Sequence, residues 1–142
     1  MTTYTRAQVR RALNQGADMA AEESGRSPYD RRFHRAVNTA ITLLTTPAAT
    51  WRDVEECYSQ TAEQTREAER RDTRAYSHDE VATAVNDGID QAAEYNGREH
   101  PDDLDHFLGN AALTLLDDPD VTFEDIVETC YDTEPDEVRS WL

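Results

Sequence analysis

Val9-Arg10-Arg11-Ala12-Leu13-Asn14-Gln15-Gly16-Ala17-Asp18-Met19-Ala20-Ala21-Glu22 returns later in the chain as Val81-Ala82-Thr83-Ala84-Val85-Asn86-Asp87-Gly88-Ile89-Asp90-Gln91-Ala92-Ala93-Glu94. The shift is 72 residues, with no gap. Extended both ways, the match sets Tyr4–Pro47 on Tyr76–Pro119, and 19 of its 44 positions are identical. It continues as Thr50-Trp51-Arg52-Asp53-Val54 against Thr122-Phe123-Glu124-Asp125-Ile126. A slip of one residue then brings Cys57-Tyr58 onto Cys130-Tyr131. Self-similarity at a fixed period is the mark of repeated supersecondary units, so the chain reads as a tandem duplication.

Within each copy the apolar residues follow a helical period. Val9, Ala12, Leu13, Ala17 and Ala20 form one stripe, and Val81, Ala84, Val85, Ile89 and Ala92 form its equivalent. Thr5 with Gln8, and Ser77 with Glu80, have the spacing of a capping box. Gly25 and Gly97 stand where a left-handed residue closes a helix. A second helix follows Ser27-Pro28 or His100-Pro101, with the proline suited to its first position. Its apolar face is Phe33, Ala36, Val37, Ala40, Ile41 and Leu44 in copy one, then Leu104, Phe107, Leu108, Ala111, Ala112 and Leu115. A third opens at Thr50 or Thr122. Mid-helix Gly16 and Gly88 each cost about 1 kcal/mol against alanine, and their repetition points to a close helix crossing.

No β-branched run or Asn-Gly turn predicts a strand. The expectation is therefore an all-α protein of two three-helix units: six main helices with approximate two-fold internal symmetry. Residues 1–58 form the first repeat. Residues 59–75 form a polar linker, in which the third helix runs on. Residues 76–142 form the second repeat, ending in a short helix after Thr133 that lays Trp141 on the body or on a partner. One core shared by the repeats suits this length; two cores of about 70 residues would each be marginal.

Charge separates the copies. The 14 basic residues are all arginine, against 30 carboxylates, for a net charge of −16. Residues 1–74 hold 12 arginines and 11 carboxylates, net +1; residues 75–142 hold 2 and 19, net −17. Adaptation of a whole proteome to salt would acidify both copies alike. The net charge opposes direct binding to nucleic acid or to an anionic membrane. No apolar run approaches the ~18 residues of a membrane span, and no signal peptide is visible, so the expected location is cytoplasmic. Cys57 and Cys130 read as small apolar core residues.

The acidic positions gather in three places. Asp87, Asp90 and Glu94 share a helix face. Asp102, Asp103 and Asp105 open the fifth helix. Asp117, Asp118, Asp120, Glu124 and Asp125 surround the start of the sixth. Carboxylates at a helix start gain about 0.3–1 kcal/mol each from the helix dipole, which explains many of them on a solvated face. Their functional meaning would be an electronegative surface for a basic partner, or an imitation of a phosphate backbone. Two polar lines also repeat: Asn14, Asp18 and Glu22 with Asn86, Asp90 and Glu94, and His34, Asn38 and Thr42 with His106, Asn110 and Thr114. Symmetric contact surfaces, a hydrogen-bonded seam between helices, or recent duplication would each account for them. Arg31, Arg32 and Arg35 form a basic face in the first copy.

No nucleophile elbow, phosphate loop, HExxH or CxxC motif is present. His100 and His106 are not spaced to bind a metal from one helical face, and the Asp117–Asp125 segment lacks a calcium-loop pattern. The expectation is a non-enzymatic protein without cofactor or metal. It would act through another protein as an adaptor, regulator or inhibitor. The alternative is a nucleic-acid mimic that blocks a nuclease or other DNA- or RNA-binding protein. A third reading is self-assembly, as in a homodimer, with the Arg-rich half of one chain against the acidic half of another.

Overall fold

The computed structural model describes residues 2–142. Helix starts are fixed by side chains. Thr5 accepts from the Gln8 N–H at 3.1 Å while its own N–H donates to the Gln8 side chain at 2.8 Å, and α1 spans Arg6–Ser24. Ser77 and Glu80 do the same for α5, His78–Tyr95. Gly25 (φ 71°) and Gly97 (φ 82°) turn the chain out of these helices in the left-handed region, which glycine enters without a Cβ penalty.

The second helix of each half begins later than the prolines suggest. Asp30 caps α2, Arg31–Thr45, and Asp102 caps α6, Asp103–Asp117, each carboxylate accepting a backbone N–H of the first turn. Pro28 and Pro101 precede these caps. Asp wins because its oxygen satisfies an orphan donor, which proline at the first position cannot do. α3 covers Trp51–Cys57 and α7 covers Phe123–Cys130.

Three further expectations are corrected. The third helix does not run through the linker: α3 stops at Cys57, and a new helix, α4, starts at Ala62 behind its own Thr61–Gln64 capping box and ends at Arg71. The local cap overrides the continuous run of helix-forming residues. The short C-terminal helix expected after Thr133 is α8, Pro135–Trp141, and with the separate α4 the described residues form eight helices. They also include a small antiparallel pair, β1 (Thr3–Tyr4) with β2 (Tyr76–Ser77), which sets Tyr4 beside Tyr76. Two residues per strand are too few for any periodicity to announce. Finally, Cys57 is half-buried and Cys130 exposed, both as free thiols, because each lies at the outer end of a short helix rather than on its core stripe.

The core lies between the halves. α1 packs chiefly on α6, and α5 on α2, while α1 and α2 touch much less. Gly16 lies against the backbone of Leu108 and Ala112, and Gly88 against the backbone of Ala40. Val9, Leu13, Phe33, Ile41, Val85, Phe107, Leu108 and Ile126 are all sealed in one apolar cluster. α4 buries no residue and is tied to α1 by the Arg10–Glu69 ion pair. No described helix is long and apolar enough to cross a membrane.

Candidate interaction surfaces

α5 has two faces. Val81, Ala84, Val85, Gly88, Ile89, Ala92 and Ala93 are buried, while Asn86, Asp87, Asp90 and Glu94 are exposed. With a rise of about 1.5 Å per residue, Asp87, Asp90 and Glu94 succeed one another at roughly 4.5 and 6 Å along the axis. Among the described residues none of these three carboxylates enters an ion pair. Asp103 and Asp120 are likewise exposed and unpaired there.

The other predicted acidic residues serve the fold. Asp117 accepts a hydrogen bond from the Tyr4 hydroxyl and lies 3.7 Å from His78 Nε2. Asp118 accepts the Asp120 N–H at 3.1 Å and shapes a turn. Glu124 accepts from Arg139 Nη2 at 3.0 Å; its own backbone N–H and then Arg139 hold its carboxyl below the usual range.

Asp102 belongs to a network between the halves. Arg32 Nη2 donates to Asp102 Oδ1 at 2.7 Å and to Asp105 Oδ1 at 2.9 Å, and Arg98 Nη2 donates to Asp105 Oδ2 at 2.7 Å. The Arg32 and Asp105 side chains are each only 9% exposed. Burial pushes the Asp102 carboxyl up, but the Asp105 N–H and the Arg32 guanidinium outweigh it and hold the carboxyl down. Arg32 is therefore not part of an exposed basic face. Arg35 is also engaged, donating to Asn96 Oδ1 at 2.7 Å and to the Tyr95 carbonyl. Of the three, Arg31 alone is exposed.

The repeated polar lines divide. Asn14, Asp18, Asn86, His34 and His106 are exposed, and Asp18 and His34 meet at one shallow depression beside Arg26 and Tyr29. Asn38 and Asn110 turn instead toward the third helix of their own half. Asn110 Nδ2 donates to the Tyr131 hydroxyl at 3.2 Å, and in the first half burial pushes the Tyr58 hydroxyl up while Asn38 opposes that push. Beside them, Thr42 Oγ1 lies 3.3 Å from Cys57 Sγ and Thr114 Oγ1 lies 3.5 Å from Cys130 Sγ. This part of the line is a hydrogen-bonded seam.

Reading along the sequence missed a cleft of about 500 Å³ between α2 and α3. Arg31, His34, Arg35 and Asn38 line one side, and Trp51, Glu55, Cys57 and Tyr58 the other. Trp51 stacks on Tyr95 with ring centroids 3.8 Å apart and planes at 28°. The available signal was Trp51 and Tyr58, seven residues apart and so on one helical face, beside the recurring cationic positions of α2.

No protein-family model matches the chain, and no curated protein or solved structure is significantly similar to it.

Proposed function

We propose that the protein is a non-catalytic, acidic interaction protein, an adaptor, regulator or inhibitor whose second half takes a basic partner protein. The observation that carries this reading is the disposition of charge. Asp87, Asp90, Glu94, Asp103 and Asp120 are exposed without ion pairs among the described residues, whereas the two arginines of the second half, Arg98 and Arg139, are both engaged by the chain's own carboxylates. The negative field is left uncompensated on a rigid helical body. Such a field steers a cationic surface and raises its association rate.

Tandem duplication supplies the scaffold. The Gly16–Ala112 and Gly88–Ala40 approaches map onto each other under the same 72-residue shift, and Tyr4 pairs with its own counterpart Tyr76. Both features support two units related by an approximate two-fold axis.

Capture of partners from lysate with the parent and with Asp87→Lys/Asp90→Lys/Glu94→Lys tests the proposal. A partner of basic surface retained by the parent, and lost by the triple variant, is the expected result. Retention by both proteins refutes the assignment of this face. The regular carboxylate spacing on α5 favours nucleic-acid mimicry as the second reading. For a mimic, duplex DNA or RNA added to the captured complex releases the partner; for an adaptor it does not.

A further inference from the structure

We propose that the cleft between α2 and α3 is a preformed groove for an acidic amphipathic helix of another protein, built like this chain's own α8. In the second half, α8 packs on α7, the counterpart of α3. Val138 of α8 is fully buried, Trp141 packs on Tyr131 with ring centroids 6.1 Å apart, and the Arg139 guanidinium lies 4.6 Å over the Phe123 ring. In the repeat register, Phe123 and Tyr131 correspond to Trp51 and Tyr58. Those two line the open cleft. The aromatic residues that α8 packs on in one half stay partly open in the other, where Tyr58 is 48% exposed.

The first half is also built to hold this floor without a cover. In the second half, Arg139 joins Phe123 to Glu23 of α1, donating to Glu23 Oε2 at 2.8 Å. The counterpart of Glu23 is Tyr95, which stacks directly on Trp51. An aromatic stack thus replaces the bridging arginine, and the groove keeps its shape while empty. The chain itself does not return to fill it, because α4 leads away to the Arg10–Glu69 contact on α1.

Charge identifies the occupant. The α8 segment carries Glu134, Asp136 and Glu137 beside its apolar Val138 and Trp141. The groove is lined by Arg31, His34 and Arg35, of which Arg31 is exposed and Arg35 is held by Asn96, with Glu55 the one carboxylate among its lining residues. The counterpart of Arg31 is Asp103, so the rim is cationic where the floor is open. An acidic helix with an apolar anchor matches both floor and rim. The chain's own α8 is committed to its own half through buried Val138, so the occupant comes from another protein. This site is separate from the acidic face of α5.

The test uses the full chain and a synthetic peptide with the sequence Thr133–Leu142. The two tryptophans give separate indole N–H signals in a nitrogen-correlated NMR spectrum. A saturable shift of the Trp51 indole, with Trp141 unmoved, is expected. Arg31→Glu/His34→Glu, at two exposed positions, should weaken the peptide at least tenfold. A peptide with Asp136→Asn and Glu137→Gln should weaken similarly. The proposal fails if Trp51 does not respond at millimolar peptide, or if the charge-reversed protein binds as tightly. It also fails if Trp141 alone shifts, since the peptide would then be exchanging with α8.

Discussion

Gly88→Ala lowers stability by about 2–3 kcal/mol in denaturant titration, and the melting temperature by roughly 6–12 °C. A Cβ at position 88 would stand 2.7 Å from Ala40 Cα and 2.8 Å from Ala40 N. These are backbone atoms and cannot swing aside, so α5 and α2 must separate along their whole contact. Helix propensity alone predicts the opposite sign, a gain of about 1 kcal/mol. Gly109→Ala is the control. Its Cβ would press on the tip of Ile89, Cδ1 at 2.6 Å, which can rotate, and make an ordinary contact with Val85 Cγ1 at 3.7 Å. A change within about 1 kcal/mol is expected there. Equal effects at the two glycines would contradict the close crossing of α2 and α5.

Arg32→Ala has the second large effect, a loss of about 3–5 kcal/mol, because it leaves buried Asp105 and its neighbour Asp102 with Arg98 as their only cation. The repeat suggests a rescue. The counterparts of Arg32 and Asp105 are Leu104 and Phe33, both buried in the core. The repeat thus sets an ionic pair at one set of positions and two buried apolar residues at the equivalent ones. Arg32→Leu/Asp105→Phe should recover to within about 1–2 kcal/mol of the parent, since a buried ion pair replaced by apolar groups of similar volume is often neutral or better. Failure of the double variant to exceed Arg32→Ala would show that the two sites are not interchangeable.

The same network predicts a pH dependence. The folded Asp102 carboxyl is held below its unfolded value near 3.9. Its contribution is complete above that value and is lost as pH falls through the lower folded value. Stability of the parent should therefore decline below about pH 4, and Arg32→Ala should show a shallower decline there.

The helices and their caps were legible in the sequence because they depend on neighbours three and four residues apart. Thr5–Gln8, Ser77–Glu80 and the stripes of α1 and α5 needed nothing else. Gly16 and Gly88 announced a close approach, though not its partners Ala112 and Ala40. What remained hidden depends on pairings across the chain. Arg32 reads as a surface charge until α6 brings Asp102 and Asp105 to it. Asn110 reads as exposed until α7 brings the Tyr131 hydroxyl to it. The α2–α3 cleft depends on how α2 and α3 pack, a fact of tertiary placement. Asp87, Asp90 and Glu94 were visible in advance, since an uninterrupted helix places them on one face without outside help.

Separate production of residues 1–75 and 76–142 tests most directly that the two halves share one core. With α1 packed on α6 and α5 on α2, each fragment alone should lack a cooperative thermal transition. An equimolar mixture should recover the helical circular dichroism and the single melting transition of the intact chain. A fragment that melts cooperatively by itself, with native-like helical signal, would show that a half carries its own core and would contradict the account.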